Sequence, residues 1–384
     1  MRRSLRAILI SLGLAAAVAC SGGGGDGGSG VKAKNTASRE ETPVPAPAPV
    51  SAPEAPAPVN VYEHTLAGNL DESVKDIPVR VYVPNGESAT VDVIDPTTFE
   101  VVDSYPVGRL PQHVVPSYDM QTLYVNNNQG NSLTPIDPRT GKPGPEIPVD
   151  DPYNLYFTPD GTKAVVMAER NSQVDFRDPE TWELIASVEI PHRGVNHLDF
   201  SADGKTAIAS CEFSGWVVKL DIENMQLVGE LEVGGEPIDV KLSPDGSVFY
   251  VANQARGGVS IVDPDAMTEI GFVPTGSGAH GLYQSRDATK LYVSNRLAGS
   301  VTVIDFVTRQ AVANWAFGGS PDMGGVSTDG SQLWLSGRYH GEVYVIDTST
   351  GQLIRRIRVG GGPHGLALFP QPGRYSLGHT GNFR

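Results

Sequence analysis

From Val79 onward the chain alternates apolar and polar positions in short bursts, the two-residue period of half-buried strands. One burst recurs, an apolar run that ends in aspartate. It appears as VDVID to Asp95, LTPID to Asp137, VDFRD to Asp178, VVKLD to Asp221, VSIVD to Asp263, VTVID to Asp305 and VYVID to Asp347. The intervals are 42, 41, 43, 42, 42 and 42 residues. A period near forty built from short strands marks the four-stranded blade of a β-propeller. Residues 280–317 display one unit, with strands expected over His280–Gln284, Lys290–Ser294, Ser300–Asp305 and Arg309–Phe317. The pattern predicts an all-β fold, a seven-bladed propeller of four-stranded antiparallel blades.

The turns agree with this reading. Thr158-Pro-Asp-Gly161, Ser201-Ala-Asp-Gly204, Ser243-Pro-Asp-Gly246 and Ser327-Thr-Asp-Gly330 join the first strand of a unit to the second. Asp bonds its own backbone there and Gly takes positive φ, which is hairpin chemistry. The recurrent aspartate is expected to cap the turn after the third strand. The first unit opens at Val79 on a second-strand motif, whereas the last ends with a spare innermost strand, His364–Phe369. The C-terminal strand is therefore expected to join the first blade and close the ring, which removes open edges. Residues 61–370 form the propeller, and the aperiodic tail 371–384 is expected to pack over one face.

Ahead of the propeller, residues 1–20 read as a signal peptide: Arg2, Arg3 and Arg6, then an apolar Ala7–Ala19 too short to span comfortably. The end, Ala17-Val18-Ala19-Cys20, resembles a bacterial lipobox, which implies lipidation of Cys20. Residues 21–60 form a disordered linker, Gly/Ser-rich over Ser21–Gly30 and Pro/Ala-rich over Thr42–Val59. The second part spans roughly 50 Å as polyproline II. Together these predict an exported lipoprotein, membrane-anchored through Cys20 and facing the periplasm or the cell surface.

The strand motifs LYVNN at 123–127, FYVAN at 249–253 and LYVSN at 291–295 resemble YVTN-family propeller repeats over residues 79–369. The resemblance implies the fold and little about activity.

Strand order places the fourth-to-first and second-to-third connections on one face. There the starts of the innermost strands crowd around the channel: Gln112-His113, Tyr153-Asn154, Asn196-His197, Ile238-Asp239, His280-Gly281, Asp322-Met323 and His364-Gly365. The loops of that face add Glu169, Arg170, Glu212, Arg256, Arg296, Arg338 and His340. From these, the candidate ligand-binding residues are His113, His197, Asp239, His280, Asp322, His364, Glu212, Arg296 and Arg338. Imidazoles with carboxylates suit a divalent metal or haem iron, with His113, His197, His280 and His364 as candidate ligands. The arginines suit ligand carboxylates in a forked geometry. His64, His192 and His379 are expected at the surface.

Composition trims the alternatives. Forty-four acidic against 29 basic residues, a net charge of −15, count against a nucleic-acid partner. The two cysteines, Cys20 and Cys211, cannot build a disulfide scaffold, and Cys211 reads as a small buried hydrophobe. No metalloprotease, phosphate-loop or nucleophile motif stands out. The sequence thus favours a monomeric binding scaffold for an envelope protein or a small molecule over an enzyme. A distant likeness to haem d1-type propeller domains implies haem or metal chemistry as one alternative. A likeness to the streptogramin-inactivating propeller lyase implies metal-dependent elimination as another.

Overall fold

The computed structural model describes residues 60–379 and 382–384; the expected signal peptide, Cys20 and the expected linker up to residue 59 lie outside the described residues. Seven antiparallel sheets form the ring. In order of blades 1 to 7, their innermost strands are Ala367–Phe369, Pro111–Pro116, Asn154–Phe157, Val195–Phe200, Pro237–Leu242, Ala279–Gln284 and Pro321–Val326. The sixth blade tracks the expectation within a residue or so: Ala279–Gln284, Lys290–Asn295, Ser300–Asp305 and Gln310–Ala316. Blade 2 departs from the rule at its rim, where the outer strand splits into Lys142–Pro143 and Ile147–Pro148. Pro143, Pro145 and Pro148 have no N–H to give the ladder, so a continuous strand cannot form there.

Each hydrophobic cluster spans two neighbouring blades. Trp334, Val343 and Val345 of blade 7, for instance, pack on Val81 and Leu368 of blade 1. Burial therefore couples nearest neighbours around the wheel, as in other repeat proteins. The seven repeated aspartates act as caps. The backbone N–H groups of Thr97, Arg139, Glu180, Asn224, Asp265, Thr308 and Ser349 donate to Asp95, Asp137, Asp178, Asp221, Asp263, Asp305 and Asp347 at 2.7–2.9 Å. Cys211 is buried and unpaired by any disulfide, and burial pushes its thiol up to about 12.

The ring closes where the sequence places the seam: Arg80, Val81 and Tyr82 pair with Phe369, Leu368 and Ala367. The closing strand is shorter than His364–Phe369 because Gly365 turns to the neighbouring blade. Gly365 N–H donates to Gln112 O, and Gly365 O accepts from Val114 N–H, both in blade 2. Side chains stitch successive innermost strands. Leu198 N–H donates to Tyr156 Oη at 3.0 Å, Leu242 N–H to Asp199 Oδ2 at 2.8 Å, Leu282 N–H to Asp239 Oδ2 at 2.8 Å and Gly324 N–H to Tyr283 Oη at 2.6 Å.

The tail does more than lie on the surface. It enters from the Asp-Gly-turn face, and Leu377 O accepts from Phe157 N–H while His379 N–H donates to Leu155 O. Arg384 pairs with Asp199 at 3.1 Å, and Lys241 bonds Asn382. The segment before the propeller joins it: Tyr62 Oη donates to Leu242 O at 2.7 Å, and Leu70 bridges Gly373. Tail and leading segment together plug that end of the channel.

Candidate functional site

At the other end, the innermost strands start with a bulge. Pro111 pairs with Asn127 and Val114 with Val125, so Gln112 and His113 stand opposite one residue. The same two-against-one count recurs for Ile238-Asp239, His280-Gly281 and Asp322-Met323. A shift at Val195/His197 does the same for Asn196. Bulges re-aim side chains and interrupt pairing. Here they coincide with the side chains that meet at the axis.

Five imidazoles gather there. The His113 ring centroid lies 5.3 Å from His197, 4.8 Å from His364 and 5.2 Å from His379, and His280 lies 5.7 Å from His364. His379 is thus not at the surface; it is 1% exposed, carried to the hub by the tail. Sequence reasoning missed it because the tail has no repeat to align. His64 and His192 remain at the periphery, where His192 stacks on Trp216 at 4.2 Å.

Two subclusters can be distinguished. In the first, candidate ligand atoms of His113, His197 and His379 lie within 4.8 Å of one another; in the second, those of His280, Asp322 and His364 do. The second is an ion-pair network. Arg296 donates to Asp322 Oδ1 through Nε at 3.0 Å and Nη2 at 2.7 Å, and the same Nη2 reaches His280 Nε2. His280 Nδ1 is 2.9 Å from Asp322 Oδ1, and His364 Nε2 is 3.7 Å from Oδ2. Burial alone would raise the Asp322 carboxyl, but Arg296 above all, then His280 and His364, hold it well below its ordinary range. Asp239 serves the wheel first: its oxygens accept the N–H groups of Val240 and Leu282. Burial opposes its charge too, and His379 and His197 keep the carboxyl low.

Burial pushes the imidazoles toward neutrality. His113 is held well below its ordinary value by burial and then by the neighbouring histidines, and burial with Arg296 brings His280 down to about 4. Above them, Asn196 Nδ2 donates to Glu169 at 3.1 Å and Glu212 at 2.7 Å, and burial pushes both carboxyls up to about 7. Arg338 makes one side-chain hydrogen bond among the described residues, to Gln112 Oε1 at 3.4 Å. Arg170, Arg256 and His340 are occupied elsewhere, with Asp151 at 2.7 Å, Glu269 at 2.7 Å and Ser320 at 2.8 Å.

The Glu pair has a testable signature. Its folded pKa is raised, so its contribution to stability is complete below about 4.5 and is lost as pH rises through about 7. Glu212→Gln removes a buried charge only where that charge exists. It is expected to stabilise by about 1–2 kcal/mol at pH 8, discounted for the residual exposure of Glu212 at the rim, and by nothing at pH 4. Urea unfolding at the two pH values reads the difference; equal effects would place Glu212 in open solvent.

Closed wheel and imidazole-lined hub define a seven-bladed propeller with its polar chemistry on the axis. The chain belongs to the YNCE-like β-propeller family, whose model matches residues 66–372. No curated protein matches the sequence. Among solved structures, hydrazine synthase of Kuenenia stuttgartiensis is similar at 21% identity over 66% of this chain and 88% of that one, with a TM-score of 0.58. The dihydro-haem d1 dehydrogenase NirN, solved in complex with DHE, is similar at 16% identity over 83% of each chain, with a TM-score of 0.58. A functionally unknown protein of Desulfotomaculum acetoxidans reaches a TM-score of 0.65 at 18% identity, over 75% and 98%. At these identities the likeness is one of fold.

Proposed function

We propose that the protein is an exported, lipid-tethered binding protein that takes a small anionic molecule at the loop-face mouth of its channel. The carrying observation is the contrast between the two arginines of the mouth. Arg296 is committed to Asp322, whereas Arg338 is half-buried with a single long hydrogen bond to Gln112. A guanidinium so placed is available for bidentate binding of a carboxylate or phosphate. Glu169 and Glu212, once protonated, offer O–H donors near it.

This ligand class accounts for the hub better than a tetrapyrrole does. The imidazoles pack edge to face with centroids 4.8–5.7 Å apart, which leaves no slot for a macrocycle between them.

The test is calorimetric titration with succinate, citrate and inorganic phosphate. At least one is expected to bind, about tenfold more weakly at pH 8 than at pH 6 as the glutamates ionise, and Arg338→Gln is expected to abolish binding. Absence of binding by all three, or binding unchanged in the variant, would end the proposal. The tether is tested separately: Cys20→Ser should move the protein from the detergent to the aqueous phase on partition.

A further inference from the structure

His113, His197 and His379 come from blade 2, blade 4 and the tail, three segments that no local pattern relates. All are buried, at 0%, 0% and 1% exposure. His197 Nδ1 is 2.9 Å from Asn196 Oδ1, which fixes the proton there and leaves the Nε2 lone pair. That Nε2 has no hydrogen-bond partner among the described residues. Neither ring nitrogen of His113 has one either. His379 Nε2 lies 3.4 Å from Asp239 Oδ1, and Nδ1 lies 3.0 Å from Asn154 Nδ2. Asp239 is itself pinned by two backbone N–H groups, so it stands to His379 as an outer carboxylate that orients a metal-binding imidazole.

Buried polar nitrogens are normally paired, and the exceptions call for an explanation. Here the unpaired nitrogens of His113 and His197 converge, and His379 stands within ligand reach of them, its Nδ1 exchanging the Asn154 amide for the ion. We propose that His113, His197 and His379 form a three-histidine site for a divalent transition-metal ion of the zinc or copper class, with the third ligand delivered by the C-terminal tail. Imidazole nitrogen is the ligand such ions favour, and His197 presents it by Nε2 because Nδ1 is held by Asn196. Nitrogens around a tetrahedral ion stand about 3.3 Å apart, so the triad contracts by up to about 1.5 Å on loading. The neighbouring cluster of His280, Asp322 and His364 is the poorer site. The Arg296 guanidinium already occupies Asp322 and His280, and a fixed positive charge repels a cation. The inference does not depend on an anion at the mouth, because the triad lies beneath it and Arg338 takes no part.

The experiment uses the full chain without an affinity tag, stripped by chelator and titrated with Zn(II) and Cu(II) by calorimetry. One equivalent is expected to bind. His379→Gln and His197→Gln are expected to weaken binding at least 100-fold, whereas the surface change His192→Gln stays within threefold. Electron spin-echo spectroscopy of the Cu(II)-loaded wild-type protein counts coordinated imidazoles without any variant, and three are expected. No stoichiometric binding, fewer than two imidazoles, or loss on His364→Gln with full binding retained by His379→Gln would overturn the proposal. Anion binding lost with metal binding intact would sink only the reading of the mouth.

Discussion

Asp322→Ala is expected to lower the unfolding free energy by about 3–5 kcal/mol, a large share of the 5–15 kcal/mol typical of a folded domain. The carboxylate is fully buried and takes two N–H bonds from Arg296, which is itself only 7% exposed. Truncation removes the anion and leaves the cation behind. Gln254 at 3.1 Å, Tyr339 at 3.4 Å and the His280 imidazole remain as its partners, and none supplies a negative charge. The cost is therefore that of an uncompensated buried charge, not of one lost hydrogen bond. Two controls follow. Asp322→Asn keeps an acceptor in place and is expected to cost less. Asp322→Leu combined with Arg296→Met is expected to recover most of the loss, because replacing both charges removes both desolvation penalties. Urea unfolding at pH 7.5 measures all three; a loss below about 1 kcal/mol for Asp322→Ala would mean that solvent reaches the pair.

Ending the chain at Pro363 is expected to abolish cooperative folding of the monomer. The deletion strips Ala367 and Phe369 from the cluster between blades 1 and 2, and Leu366 and Leu368 from that between blades 7 and 1. The tail's Leu377 and Phe383 go as well, so at about 2 kcal/mol for each of five large side chains the apolar loss alone is about 10 kcal/mol. It also bares the ladder edge of Arg80–Asn85, a template for pairing with other chains. Size-exclusion chromatography with far-ultraviolet circular dichroism should then find strand-rich aggregates in place of a monomer. A monomer that still melts in one sharp transition would show that six complete blades and one incomplete blade hold without the seam.

The fold was legible because it is periodic. The aspartate at each cap recurs at the blade interval, and the spare strand after Gly362 has one place to go. The crowding of His113, His197, His280 and His364 could also be reached, since all sit at one or other of two adjacent positions of the repeat. What alternation cannot express is the bulge. A two-residue period carried through Pro111–Pro116 puts Gln112 and His113 on opposite faces of a ladder, whereas the observed pairing takes both off it. Nor does register say which cation meets which anion. Arg296 and Arg338 occupy equivalent loop positions, yet one is locked to Asp322 and the other lies over the mouth. His379 was illegible for a third reason: a plug is defined by the hole it fills, and the tail takes its position from residues remote in sequence, among them Leu155, Phe157, Asp199 and Lys241. The one hint available was a histidine within a segment already expected to cover a face.

Because His113 and His280 stand in bulges outside the blade ladders, the identity of such hub positions is set apart from the pairing that holds the blades together, whereas Asp239 and Asp322 carry structure as well. A family built this way can exchange one binding chemistry for another at the hub by single substitutions, while the rim, turns and caps go on specifying the same wheel.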